Sequence, residues 1–313
     1  MWATNVGNEI GQVLISVITT GEGHALIPMA EGLMARYSSA GVPAPEALYV
    51  DRDCCGSTPV RKLFHLWKDV PIRLDIWHFM RRIAGGVTSE NHMLYAGFMN
   101  QLSRCLFEWD NDDLLALKEA KLHELQARDI FPHDTNILGH ISKRELALHC
   151  RRRTRGADET ATLIKKLLDC YKGAVDTMGV PLLKADAMAT IWEKQQHHVS
   201  CIQDPPGVQL YIQTGSMRKG NRLLPTYRFF YFLFFFPYFS GTLANEVLFQ
   251  AYIVEGLARW NQNWASAAQG VSREEPVSYS QSLREATNQL SEAVIGKKIL
   301  PSFRSPRIYT GML

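Results

Sequence analysis

What this chain lacks excludes several classes of protein. No apolar run reaches the roughly 20 residues needed to cross a bilayer as a helix; the most apolar stretch, Phe229 to Phe239, is too short. The opening Met1-Trp2-Ala3-Thr4-Asn5 has no basic segment followed by an apolar one, so no secretory signal is expected there. Cysteine is sparse. Cys54, Cys55, Cys105, Cys150, Cys170 and Cys201 form no C-x-x-C pair and show no His/Cys metal spacing. Neither a disulfide framework nor a zinc site is expected, and a reduced intracellular chain is the default. The net charge of +3 is too small to imply a partner by itself. What is present, 46% hydrophobic and 21% charged residues over 313 positions, suits a globular protein of about two structural units, or one domain carrying an insertion.

The most informative stretch runs from Glu46 to Ile83 and reads as strand, helix, strand with an acid at each strand exit. Ala47-Leu48-Tyr49-Val50 has strand composition and ends at Asp51; Thr58 to Lys68 has helical spacing; Ile72-Arg73-Leu74 is strand-like and ends at Asp75. Strands joined by a helical crossover lie parallel and close together, so both acids would leave the same sheet edge. Paired carboxylates there suit hard divalent ions such as Mg²⁺, which take oxygen ligands and serve phosphoryl transfer. Two plainer readings stand beside this one: an acid after a strand can be a turn residue, and Asp75 can N-cap a helix beginning near His78. Strand alternation puts Asp51 and Asp53 on one side, so spacing does not choose between them.

Before that stretch, Trp2 to Val6 and Gln12 to Ile18 read as a hairpin, and Leu26 to Tyr37 as a helix. After it, helices are expected at Leu94 to Phe107, Asp110 to Gln126 and Thr160 to Tyr171, a strand at Val208 to Thr214, and helices at Leu243 to Trp264 and Gln281 to Val294. Asp204, in Gln203-Asp204-Pro205-Pro206-Gly207, reads as a turn residue. Lys143, Arg144, Arg151, Arg152, Arg153 and Arg155 concentrate positive charge in a region read as helical. They could neutralise phosphates of DNA, cap a helix end, or act as a nuclear-import signal.

YVDRDCC followed by RLDIWHFMRR resembles the central block of DDE-type transposases. The wider run, with ISKRELALHCRRRTRG and HVSCIQDPPGVQLYIQTG, resembles a transposon-derived protein family of fish genomes. The resemblance implies an α/β fold, a ribonuclease H-like core lacking its first strand and interrupted by a large helical insertion. It makes Asp51 the second catalytic acid and a ligand of Mg²⁺ or Mn²⁺. Asp75, the other metal ligand, and His78 would form an Asp-x-x-His element, with Trp77 and Phe79 packed beneath. The alternative for His78 is an ordinary helix-start histidine. The implied organisation is a partial core at 1–83, a helical insertion at 84–219, an anomalous aromatic segment at 220–242, and a final core helix with a loosely ordered tail at 243–313.

The run from Phe229 to Ser240 has no amphipathic period and no charge, and exposed it would be an aggregation hazard. All its residues have pyrimidine-rich codons, so it reads as a translated polypyrimidine tract, with an aromatic core strand as the alternative. The resemblance places the third acid, a Glu opening the last catalytic helix, in this interval, and no residue matches it; neither Glu246 nor Glu255 stands in that motif. The expected function is a transposase remnant with impaired DNA cleavage and strand transfer. The alternative is a non-catalytic nucleic-acid-binding or protein-interaction module. The expected partner is DNA, with no membrane and no small-molecule substrate, and the expected location is the nucleus or else the cytoplasm.

Overall fold

The computed structural model describes residues 2–20, 23–55, 59–131, 134–229, 246–268 and 281–300. It is a mixed α/β protein, 51% helical and 17% strand. The chain divides into two compact units, residues 1–29 with 231–313, and residues 30–230. Most of the segment 229–240 lies outside the described residues, as do 269–280 and 301–313; Phe229 closes a strand. No helix among the described residues is long and apolar enough to cross a membrane.

The first unit opens with the expected hairpin. β1 (Trp2–Gly7) pairs antiparallel with β2 (Val13–Thr19), with a bulge between Val6 and Gly7. At the turn the Asn8 carboxamide accepts the Gln12 N–H, and Gly11 takes φ 90°, a left-handed value open to glycine without steric cost.

In the second unit, α1 (Ile27–Ser39), which begins just before the boundary, buries Ala30, Leu33 and Met34 on one face, as helical spacing of those residues dictates. Next come β3 (Leu48–Val50), α2 (Pro59–Leu63) and β4 (Ile72–Leu74). β3 and β4 are parallel with Leu48, Tyr49 and Val50 opposite Ile72, Arg73 and Leu74. The crossover helix is shorter than its spacing implies, because beyond Leu63 the chain folds into turns that stack Phe64 on Trp67 at 5.3 Å. Burying that aromatic pair outweighs continued helical propensity.

α3 (Ile76–Ala84) and α4 (Tyr95–Leu106) follow, then β5 (Phe107–Trp109), α5 (Asn111–Gln126) and α6 (Lys143–His149). β6 (Arg152–Thr154) pairs antiparallel with β5. α7 (Ala157–Tyr171), α8 (Ala185–Gln195) and the hairpin of β7 (Tyr211–Lys219) with β8 (Arg222–Phe229) complete the unit. The larger core is built from β4, α3, α4 and α7, where Leu74, Phe79, Phe98, Leu102, Leu106 and Ile164 are fully buried. A smaller cluster gathers Leu117, Ala120, Ile137, Cys150 and Leu224.

The first unit resumes with α9 (Glu246–Ala268) and α10 (Gln281–Ile295). Across the described residues the strands form four two-stranded sheets, β1–β2, β3–β4, β5–β6 and β7–β8.

Candidate functional site

The acids Asp51 and Asp75 leave the same edge of the β3–β4 pair. Val50 and Leu74 are register partners, and each acid is the next residue along its strand. The Asp75 N–H donates to the Val50 carbonyl at 2.8 Å, which carries the ladder one step past β4. On the other side of β4, the Leu74 N–H donates to the Cys201 carbonyl at 2.9 Å, and Arg73 Nε donates to the Gln203 carbonyl at 2.9 Å. The segment 201–203 is thereby sewn to β4.

The two acids are unlike one another. Asp51 is exposed, and its backbone carbonyl accepts from Arg82 of α3. Asp75 is buried and N-caps α3. One Asp75 carboxylate oxygen accepts the His78 N–H at 2.8 Å and lies 2.9 Å from His78 Nδ1. The capping role open to Asp75 from sequence is therefore real, and α3 begins at Ile76 rather than at His78. Phe79 is fully buried below, but Trp77 is 40% exposed, its ring edge-on to His78 with centroids 4.9 Å apart. The expectation that both aromatics pack beneath the site holds for Phe79 alone, since residues two apart on a helix point about 200° apart, to nearly opposite faces.

Asp53 is set apart from Asp51 by backbone conformation. The strand ends at Val50, and Asp53 has φ 56°, the left-handed region that Asp tolerates better than most residues. Strand alternation does not reach Asp53. This turn delivers the next two residues, Cys54 and Cys55, to His198 and Cys201.

These four side chains form the one group of three or more potential metal ligands among the described residues. Their ligand atoms all lie within 4.8 Å of one another. Cys55 Sγ is 3.1 Å from Cys201 Sγ and 3.2 Å from His198 Nδ1; Cys54 Sγ is 3.6 Å from Cys55 Sγ and 3.3 Å from His198 Nδ1. All three cysteines are free thiols. Burial pushes the Cys54 and Cys201 thiols up, while burial and the neighbouring Arg82 and His197 push His198 down. Cysteines without metal spacing in the sequence are thus brought with His198 into a group that could hold an ion. His198-x-x-Cys201 and the adjacent pair after a strand were the signals available, and neither has the spacing of a common zinc motif.

The basic segment also departs from expectation. It is helical only as far as His149; Cys150 is extended, and Arg152–Thr154 is a strand held by pairing with β5. Arg151 forms a two-pronged pair with Asp113, Nε to Oδ2 at 2.8 Å and a terminal nitrogen to Oδ1 at 3.0 Å. Arg152 lies over the Phe107 ring at 4.2 Å and donates to Ser103 Oγ. Arg153 pairs with Glu108, and Arg155 with Glu108 and Glu159. Lys143 and Arg144 are exposed at the start of α6, with no ion pair among the described residues. Asp204 fastens its turn to β6, accepting the Thr154 N–H at 2.9 Å while its own N–H donates to Thr154 Oγ1 at 2.9 Å.

Comparison with family models, curated proteins and solved structures returns no match.

Proposed function

We propose that this chain is a remnant of a DDE-type transposase on a ribonuclease H-like core, with an ancestral reaction of metal-dependent DNA cleavage and strand transfer and with impaired activity of its own. The observation that supports the reading is the parallel β3–β4 pair, which carries Asp51 and Asp75 off one edge in register. Two carboxylates leaving one edge would suit a single Mg²⁺ or Mn²⁺ completed by waters, since these ions dehydrate reluctantly and are held through one or two carboxylates. Asp51 and Asp75 would hold it. Such an ion, when bound, polarises a phosphodiester and lowers the pKa of water.

The chain's own groups do the positioning. Asp75 is oriented by its bonds to His78, and Arg82 restrains the backbone at Asp51. The impairment is inferred from the sequence, since the interval 229–240, where the resemblance places the third acid, holds no Glu. Two ions bridging an attacking and a leaving oxygen need more acids than Asp51 and Asp75. A nuclear location accords with a DNA substrate.

The test is Mn²⁺ binding, read by electron paramagnetic resonance, beside nicking of supercoiled plasmid. The wild-type chain should bind Mn²⁺ weakly, lose it in Asp51→Asn, and nick no faster than the buffer. Mn²⁺ binding unchanged by Asp51→Asn removes this edge from consideration. Rapid nicking lost in Asp51→Asn shows an intact enzyme instead of a remnant.

A further inference from the structure

We propose that Cys54, Cys55, His198 and Cys201 form a structural zinc site that fastens the loop after β3 to the turn after α8. A tetrahedral ion with bonds of about 2.3 Å to sulfur and about 2.0 Å to nitrogen keeps its ligand atoms roughly 3.5–3.8 Å apart. Four of the six separations here run from 3.1 to 3.6 Å, and all six are within 4.8 Å. Three thiols and an imidazole nitrogen are thus gathered to nearly the size of a zinc coordination shell. Softness selects the ion, because thiolate and imidazole suit Zn²⁺ and not the Mg²⁺ or Mn²⁺ of a carboxylate site. Four protein ligands fill a tetrahedron, so the site is closed and structural.

The backbone explains how adjacent cysteines share one ion. The left-handed turn at Asp53, after the strand has ended at Val50, immediately precedes them, and a 3-10 turn at Gln196–His198 with the Cys201 N–H donating to the His198 carbonyl sets His198 and Cys201 close together. Cys201 is already fixed to β4 through its carbonyl. Zinc would therefore join two segments 144 residues apart in sequence and hold the exposed Asp51 loop against a rigid strand. This site stands or falls independently of Mn²⁺ binding at Asp51 and Asp75.

The full chain, purified without a histidine tag, should contain one zinc per molecule by mass spectrometry of the metals. Replacement with Co²⁺ should give thiolate charge-transfer bands together with the visible bands of a tetrahedral site. Alkylation with peptide mapping should find Cys54, Cys55 and Cys201 protected until a strong chelator is added, while Cys170, exposed and outside the group, reacts throughout. Cys55→Ser and His198→Ala should each weaken zinc binding at least the roughly 10-fold typical for loss of an outer-shell partner; Cys170→Ser and Asp51→Asn should leave it unchanged. Because ligand variants can fail to fold, the wild-type Co²⁺ spectrum decides. A reduced, folded wild-type chain that takes up neither Zn²⁺ nor Co²⁺ overturns the proposal, as does Co²⁺ bound without thiolate bands or a Cys55–Cys201 disulfide in the purified protein.

Discussion

Asp75 and His78 are joined twice, through the His78 backbone N–H at 2.8 Å and through ring Nδ1 at 2.9 Å, both to the same carboxylate oxygen. The residue that the transposase reading assigns to a metal is thus also the residue that starts α3. The two roles separate by substitution, because an amide oxygen caps a helix about as well as a carboxylate but binds hard ions poorly. Asp75→Ala should lower stability by about 1–2 kcal/mol in urea denaturation. Asp75→Asn should retain nearly all of that stability while losing Mn²⁺. Equal destabilisation by both variants would mean that the charge on Asp75, and not the cap, organises this edge.

Glu145 carries the clearest acid sensitivity. Burial opposes its ionisation, but Lys219 at 2.6 Å, the Ser142 backbone and hydroxyl, and Lys121 at 3.2 Å outweigh this and hold its carboxyl down at about 2. The folded value lies below the ordinary 4.5, so between the two the unfolded chain binds more protons. The stabilisation is full above 4.5 and is lost as pH falls toward 2. Glu145→Gln keeps the capping geometry and loses the charge, so it should cost about 2 kcal/mol at neutral pH. Urea titrations at stepwise lower pH should find the difference between wild type and variant closing across that interval; a constant difference would assign the stabilisation to packing.

Salt dependence distinguishes the arginines that hold the protein together from any cations that hold DNA. Each phosphate contact contributes about 0.9 to the slope of log affinity against log salt. Lys143→Gln combined with Arg144→Gln should flatten the slope for duplex DNA by about 2. Arg153→Gln should leave it unchanged, since Arg153 is paired with Glu108. Arg151→Gln should likewise leave the slope alone but lower stability by about 2 kcal/mol, because Asp113 loses its two-pronged partner. Equal flattening by the arginine variants would show that they exchange carboxylates for phosphates when DNA binds.

Local signals made much of the architecture legible. Apolar residues at helical spacing put helices at 94–107 and 110–126, and the structure has them at Tyr95–Leu106 and Asn111–Gln126. Asp51 and Asp75 could be placed on one edge because a crossover between short apolar strands leaves little choice but parallel pairing. Features set by distant partners were not legible. Arg152–Thr154 becomes a strand because Phe107–Trp109, far away in sequence, pairs with it, and nothing in a run of arginines announces that. The thiol and imidazole group was missed for the same reason: Cys54 and His198 are 144 residues apart and are brought together through the pairing of β3 with β4 and of β4 with the 201–203 segment.

The hairpin of the first unit is secured by α9 in a way that can be dissected atom by atom. Asn261 meets both backbone groups of Val13 at the start of β2, its carboxamide oxygen accepting the N–H at 2.7 Å and its nitrogen donating to the carbonyl at 2.9 Å. The preceding residue, Trp260, donates through Nε1 to the Gly11 carbonyl at 2.8 Å, and a Cβ added at Gly11 would stand 2.8 Å from the ring of Trp264, about one turn on. Asn261→Ala removes both partners of a buried strand end and should cost about 1–3 kcal/mol. Gly11→Ala should be costly for two reasons, the left-handed backbone and the ring that must move, and should exceed the roughly 1 kcal/mol expected from the backbone alone. Hydrogen exchange separates docking from hairpin formation: in Asn261→Ala the Val13 amide should exchange faster while amides within the β1–β2 ladder keep their protection. Loss of protection along the whole ladder would mean that the hairpin forms only when α9 holds it, as expected for a two-stranded sheet too small to be stable alone.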